Sequence, residues 1–226
     1  METYMGVLTK CPLFAEVTEK DIGTMLDCLG AKVARYEKEE YILRAGDKPA
    51  WIGVVLEGQV HILREDFWGN RTILTAVEPG DLFAEAFSCA QTPALPISAV
   101  AHEDTTVLLV DYARVIATCS TACRFHQQLI RNMVRILASK NIMLMRKMHH
   151  ITRKTTREKV MSYLSEQATM AGRDRFDIPF NRQELADYLS VERSALSATL
   201  SEMKRDGLID YHKNSFRILK GFKDAL

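Results

Sequence analysis

The central part of the chain alternates hydrophobic and polar residues in short runs separated by glycines. The alternation is clearest in Val60–Leu63 and Thr72–Val77, and Trp68-Gly69-Asn70 between them has the composition of a hairpin turn. Comparable runs recur from about residue 31 to residue 110, with breaks at Gly46, Gly58, Gly69 and Gly80. Short strands at this spacing predict an antiparallel β-sandwich or β-barrel.

A helix is predicted just before this region, from Thr18 to Leu29. Thr18 is a suitable N-cap, and Asp21 follows it at the spacing of a helix start. The apolar residues then fall on one face, which is formed by Ile22, Met25, Leu26 and Leu29.

The period becomes helical after about residue 111, and apolar residues then recur at intervals of four and three. This stripe is typical of a coiled-coil seam and predicts a dimer interface formed by Ile130, Val134, Leu137, Asn141, Leu144 and Met148. Asn141 favours a parallel, in-register pair, because paired amides satisfy each other in only one alignment. The alternative is a single long helix with Asn141 facing water. A second stripe is available to cover the β-domain: Leu129, Met133, Ile136 and Met143.

Residues 181–219 have the pattern of a helix, a tight turn, a second helix and a β-hairpin. Asn181 and Glu184 are spaced as a capping box, and Ser190-Val191 is the predicted turn. The second helix starts near Glu192 and ends at Asp206-Gly207, with Ala195, Leu196, Leu200 and Met203 facing inward. The hairpin is formed by Leu208–Tyr211 and Phe216–Leu219. This order is typical of a winged helix-turn-helix.

Such a motif places the first turn of its second helix in the major groove of DNA. Arg193 has the donors for a bidentate contact with guanine. Basic side chains around the helix are candidate phosphate contacts, Arg205 among them. The predicted DNA-binding residues are Arg182, Arg193, Ser194, Ser197, Ala198, Lys204 and Lys213. The alternative is a helical hairpin that contacts another protein.

Composition narrows the class of protein. The chain has 226 residues, 47% of them hydrophobic, and a net charge of +1. Residues 151–226 carry 14 Lys and Arg against 11 Asp and Glu, which is the sign expected of a DNA-binding region. We expect a cytoplasmic protein, because no signal peptide, no apolar run of roughly 20 residues and no disulfide-like cysteine spacing is present. Phosphate-loop, nucleophile-elbow and zinc-protease motifs are also absent, so no enzymatic activity is expected.

Several stretches resemble the CRP/FNR family of bacterial regulators over nearly the whole chain: Gly46-Asp47, Val55-Leu56-Glu57-Gly58, Gly80-Asp81-Leu82-Phe83-Ala84-Glu85, Arg182-Gln183-Glu184-Leu185-Ala186 and Arg193-Ser194-Ala195-Leu196-Ser197. The resemblance implies an α+β fold with an antiparallel, cyclic-nucleotide-binding-like β-barrel or jelly roll, a long dimerisation helix and a C-terminal winged helix-turn-helix. The expected domains are residues 1–119, 120–152 and 153–226. The implied partners are palindromic double-stranded DNA, a second copy of the chain, a small-molecule effector of unknown identity and, for an activator, RNA polymerase.

The chain departs from the family pattern in the second helix of the motif. Arg193 matches a base-contacting arginine, but Ser194 replaces a usual glutamate and Ala198 a usual arginine. The half-sites known for the family are therefore not transferred to this protein.

The effector region departs as well. Members that bind cyclic AMP use a Gly-Glu pair and an Arg-Ser pair, whereas this chain has Ala84-Glu85 and Ile97-Ser98. Without the arginine the cyclic phosphate loses its charge-assisted hydrogen bonds, so we expect the effector not to be cyclic AMP. The candidate effector residues are Phe83, Ala84, Glu85, Ile97, Ser98, Lys140, Asn141 and Leu144, with a purely structural Glu85 as the alternative.

Cofactor chemistry is a minor alternative. Cys119, Cys123 and His126 would share one face of a helix and could bind zinc or haem iron, but ordinary helix positions are the favoured interpretation. The family's oxygen sensors bind an iron–sulfur cluster through N-terminal cysteines, and Cys11 alone does not suffice, so neither a cluster nor another metal site is expected. His149-His150 is interpreted as a solvated pair. A cyclic-nucleotide-binding module without DNA binding is the alternative from another class of protein.

Overall fold

The computed structural model describes residues 2–116 and 124–219. The chain divides into two compact units, Met1–Ala138 and Ser139–Leu226. The helices are α1 (Met5–Leu8), α2 (Glu19–Cys28), α3 (Glu85–Ala90), α4 (Tyr112–Ile116), α5 (Arg124–Ile151), α6 (Thr156–Ala171), α7 (Arg182–Leu189) and α8 (Arg193–Arg205). The border between the units lies within α5, and the predicted three-part division stays a prediction.

The first unit is built on two four-stranded antiparallel sheets among the described residues. Its strands are β1 (Lys32–Tyr36), β2 (Tyr41–Leu43), β3 (Trp51–Glu57), β4 (Val60–Glu65), β5 (Arg71–Val77), β6 (Leu82–Phe83), β7 (Ser98–Ala101) and β8 (Thr105–Asp111). One sheet has the order β1-β8-β3-β6 and the other β2-β7-β4-β5. The predicted hairpin joins β4 to β5, where Asp66 accepts hydrogen bonds from the amides of Trp68 and Asn70, both at 2.9 Å. The α+β fold class predicted from the sequence is confirmed.

The first half of α5 closes one side of this unit. Leu129 and Met133 are buried in the same apolar cluster as α2. The buried amide of Asn132 donates to the carbonyl oxygens of Leu13 and Ala15, at 2.9 and 2.8 Å. Since those carbonyls belong to the segment before α2, one side chain fastens the N-terminal segment to the long helix. The predicted N-cap of α2 is also present, with the Thr18 hydroxyl accepting from the Asp21 amide.

The second unit packs α6, α7 and α8 around one apolar cluster and a three-stranded sheet. Its strands are β9 (Arg175–Asp177), β10 (Ile209–His212) and β11 (Ser215–Ile218), in the order β10-β11-β9. The predicted wing is the β10–β11 hairpin, and β9 adds a strand that the sequence pattern did not indicate. Thr155 and Glu158 form a capping box at the start of α6.

Candidate functional site

Local hydrogen bonds fix the turn between α7 and α8. The Asn181 side chain accepts from the amides of Gln183 and Glu184 at 2.9 and 3.0 Å, and Glu184 accepts from the Asn181 amide at 2.7 Å, which confirms the predicted capping box. At the other end of α7, Ser190 takes a left-handed conformation with φ of 52°. The Lys159 ammonium donates to the carbonyl oxygens of Leu189 and Ser190. The chain therefore enters α8 in a defined direction.

Helix α8 has one buried face and one exposed face. Leu196, Leu200 and Met203 are completely buried. The opposite face consists of Arg193, Ser194, Ser197, Ala198 and Ser201, all exposed. The prediction that Ala195 faces inward is wrong: Ala195 is exposed, because the apolar side chains at 196, 200 and 203 already fill the contact with the core.

The Arg193 guanidinium makes no hydrogen bond or ion pair with any residue the structure describes. Ser194 and Ala198 are likewise free of polar partners in that part of the chain, whereas the Ser201 hydroxyl donates to the Ser197 carbonyl oxygen at 2.9 Å. The start of the helix thus presents one long cationic donor among short side chains. This is the geometry of a helix that inserts its first turn into a groove.

Arg182 lies against the wing. Its guanidinium carbon is 4.8 Å from the ring centroid of Tyr211 and 5.3 Å from that of Phe216, and Nη2 donates to the Lys213 carbonyl oxygen at 3.2 Å. Burial lowers the pKa of Arg182, and its Nη1 has no hydrogen-bond partner among the described residues. Arg182 therefore joins the first turn of α7 to the hairpin. Sequence reasoning did not find this contact, because Arg182 and the two rings are far apart along the chain.

The other predicted phosphate contacts differ in whether their charged groups have an intramolecular partner. The Lys204 ammonium lies 2.6 Å from Asp210, which raises the pKa of Lys204 and lowers that of Asp210. Both side chains are exposed, so this pair is easily exchanged for a phosphate. Lys213 occupies the wing turn with φ of 52°, and neither its ammonium nor the Arg205 guanidinium has a partner in the described ranges.

The five candidate effector residues of the first unit lie inside its fold. Phe83 is 2% exposed, and its ring lies where a Cβ at residue 53 would be, so Gly53 is required there. Ala84 has φ of 62°, a left-handed conformation that glycine adopts without strain. Glu85 is 3% exposed in the first turn of α3. Ile97 is buried in the apolar cluster, and the buried Ser98 hydroxyl accepts from the Ala45 amide at 3.0 Å.

The candidate residues on the second half of α5 belong to the other unit. Lys140 is half-buried, and Asn141 and Leu144 are exposed. The predicted dimer stripe is open along much of its length, with Val134 61%, Leu144 57% and Met148 59% exposed. Its remaining apolar members, Ile130 and Leu137, are half-buried.

The second apolar stripe separates into two parts. Leu129, Met133 and Ile136 are buried, as expected of residues that cover the β-domain. Met143 is 58% exposed, so its assignment to this stripe is wrong. The reason is that the border between the two units lies between Ile136 and Met143.

The interpretation of His149-His150 as a solvated pair is wrong for His150. The ring of His150 is 1% exposed, with Nδ1 at 2.9 Å from the Ser162 hydroxyl and Nε2 at 2.7 Å from the Glu166 carboxylate. Burial lowers the pKa of His150, and Glu166 opposes that shift. The network holds the last turn of α5 on α6, and the adjacent His149 is exposed. A single histidine at a helix end carries no local signal for this role.

Of the three candidate metal or haem ligands, the structure describes one. Cys119 and Cys123 lie outside the described residues, and His126 is buried. Burial raises the pKa of Cys11 to about 11, which keeps this thiol protonated. Within the described ranges, no group of three or more His, Cys, Asp or Glu is arranged to hold a metal ion. No described helix has the length and apolarity needed to cross a membrane.

Comparison with known proteins identifies both units. The cyclic nucleotide-binding domain model matches residues 33–122, and the Crp-like helix-turn-helix domain model matches residues 158–221. The chain is 23% identical over 188 residues to the transcriptional activator protein FnrA of Stutzerimonas stutzeri, covering 81% of this chain and 75% of FnrA. It is 23% identical over 213 residues to the transcriptional activator protein anr of Pseudomonas aeruginosa, covering 92% of this chain and 84% of that protein.

A similar fold is found in the c-di-GMP responsive global regulator CLP of Xanthomonas campestris, with a TM-score of 0.53, 16% identity and coverage of 88% of this chain and 99% of that one. The matches to two domain types in this order, together with the curated activators, agree with the sequence motifs and with the fold. The chain belongs to the CRP/FNR family of DNA-binding transcription regulators.

Proposed function

We propose that this protein is a dimeric, sequence-specific transcription regulator of the cytoplasm whose DNA affinity is controlled by a small molecule other than cyclic AMP. The observation that carries the proposal is the two-sided character of α8. Its inner face is buried in the core through Leu196 and Leu200, while the outer face presents Arg193 without an intramolecular partner in the described chain. A helix held this firmly can keep its outer side chains in register with base edges.

The stripe on α5 supports a dimer. Large apolar side chains such as Val134 and Leu144 are more than half exposed in the single chain, and a second copy of α5 would bury them. A two-fold dimer presents two copies of α8 to half-sites one DNA turn apart, roughly 34 Å. Small changes in how the dimer presents these helices then alter affinity, so an effector that favours one arrangement controls binding.

The effector proposal rests on Ile97. By the resemblance to the family, this buried side chain takes the place of the arginine of members that bind cyclic AMP, and Ser98 beside it already accepts a backbone hydrogen bond. A cyclic phosphate placed there would lose its water without gaining a cationic partner. We therefore expect the first unit to bind an effector that lacks a cyclic phosphate.

Fluorescence anisotropy of the full chain with duplex DNA, at several salt concentrations, tests DNA binding. We expect affinity to fall steeply with salt, because phosphate contacts release counterions. A cyclic-nucleotide-binding module without DNA function would show no binding at any salt concentration.

Sedimentation equilibrium of the wild type and of Leu144→Glu tests the dimer: the wild type should be dimeric and the variant should dissociate. Calorimetry with cyclic AMP tests the effector proposal, and affinity of micromolar or tighter would contradict it.

A further inference from the structure

The exposed face of α8 consists mostly of short, uncharged side chains. It is formed by Arg193, Ser194, Ser197, Ala198 and Ser201. We call it the readout face. Arg193 is its only member with more than one polar hydrogen-bonding atom. The next basic residues on the exposed side of α8 are Lys204 and Arg205, which lie about 17 and 18 Å further along the helix axis. The readout face therefore carries a single long donor, and it stands in the first turn.

From this surface, and resting on the proposed function above, we propose that the protein reads each DNA half-site directly at one G·C base pair, through Arg193. The remaining preference comes from thymine methyl contact and from DNA shape. The proposal deepens the assignment of DNA binding by naming the class of site that this chain selects.

Side-chain chemistry carries the first step of the argument. Arginine donates two parallel hydrogen bonds to O6 and N7 of guanine, a pattern that no other base edge offers. A serine hydroxyl rotates to donate or to accept, so Ser194 and Ser197 tolerate several bases. Alanine has no polar group, and Ala198 can discriminate only through contact with the thymine methyl group.

Intramolecular contacts carry the second step. The Ser201 hydroxyl already donates to the Ser197 carbonyl oxygen. Arg182 packs on the wing rings, and Arg157 contacts Asp206 at 2.8 Å at the far end of α8. Arg182 and Arg157 thus have partners within the second unit, while Lys204 and Arg205 lie in the last turn of α8 and Lys213 lies in the wing turn. Arg193 is therefore the cation that the first turn of α8 presents to a base edge.

In the experiment, the full chain selects its preferred duplexes from a library of two-fold-symmetric DNA sites. Fluorescence anisotropy then measures its affinity for the selected site and for every single base-pair replacement of that site. We expect one G·C pair per half-site at which replacement lowers affinity by about 5- to 150-fold, the range of one bidentate contact. Replacement at each other position should lower affinity by less than about 5-fold.

Arg193→Ala should abolish the discrimination at that pair while salt-dependent binding persists. Because the Arg193 side chain has no polar partner in the described structure, circular dichroism and melting should match the wild type. The matched control is Arg205→Ala, on the same helix and also exposed, which should weaken binding to all duplexes alike. Ser194→Glu should add a preference for cytosine at a neighbouring pair, since a carboxylate accepts from the cytosine amino group.

The outcomes separate the two proposals. If the chain binds no duplex even at low salt, the proposed function fails. If it binds and shows more than about 5-fold discrimination at more than one pair of a half-site, or keeps its discrimination in Arg193→Ala, the single-pair readout is wrong and the proposed function stands.

Discussion

The two units hold their candidate functional residues in opposite ways. In the second unit, Arg193 and Ser194 stand on the outside of α8, whose inner face forms the core. In the first unit, Ile97 and Ser98 are themselves inside the fold. Side chains on the outer face of α8 can therefore change without cost to the fold, whereas a change at Ile97 or Ser98 also changes the free energy of unfolding. The same substitution should have different consequences in the two units.

The largest effect is expected for Ile97→Arg. A charge placed among buried apolar side chains has no partner, so the free energy of unfolding should fall by more than about 3 kcal/mol. Ile97→Val is the matched control and should cost about 0.5–1.5 kcal/mol. Urea denaturation of both variants measures the difference. Equal stability would break the comparison, because it would mean that this position opens onto a solvated cavity.

A matched pair of serine substitutions tests the comparison directly. Ser98→Ala removes the acceptor of the Ala45 amide, and we expect a loss of about 1–2 kcal/mol in the free energy of unfolding. Ser194→Ala removes an exposed hydroxyl, and the change should stay within about 0.5 kcal/mol. Denaturation curves of the two variants should therefore separate. Coincident curves would show that the Ser98 hydroxyl contributes nothing to the fold.

The strained residue at the start of α3 provides a smaller effect of opposite sign. Ala84→Gly should raise the free energy of unfolding by about 1 kcal/mol, since glycine adopts a positive φ without the Cβ clash. Ala86→Gly, two residues later within the same helix, should lower it by about 0.5–1 kcal/mol. Thermal melting of the two variants should give shifts in opposite directions. A loss of stability in Ala84→Gly would contradict the assignment of strain.

The smallest effect concerns His150, a buried polar group in the second unit, whose candidate DNA-binding residues on α8 are exposed. Its pKa is lowered by burial, so the unfolded chain binds a proton first as the pH falls. The charged and titratable groups around it are Glu166, His149, Arg153, Tyr163 and Tyr188. Glu166 is in turn paired with Arg146. Stability should therefore decrease once the pH drops below about 6.5.

Denaturation at pH 7.5 and pH 5.5 tests this prediction, with His150→Gln as the control that keeps a polar side chain without the titration. The wild type should lose more stability than the variant between the two pH values. A wild type that gains stability at the lower pH would show that Glu166 outweighs burial.

Patterns within one element were enough to predict much of the second unit. The Asn181–Glu184 capping box, the turn at Ser190 and the wing each depend on residues close together in the chain, so their hydrogen bonds follow from spacing alone. The strand-rich character of residues 31–110 was equally visible, because alternation and glycine breaks are local properties. The open stripe on α5 could be placed for the same reason.

Tertiary structure decided which polar side chains were already occupied. Local spacing could not show that Arg182 packs on Tyr211, that Asn132 holds the segment around Leu13, or that His150 is buried against Glu166. Each of these contacts joins elements that meet only after the chain has folded. Arg182 and Arg193 are the same type of residue, and each is the first residue of its helix. They differ only in what the folded chain places beside them: Arg193 has no polar partner in the described structure, whereas Arg182 packs on the Tyr211 and Phe216 rings.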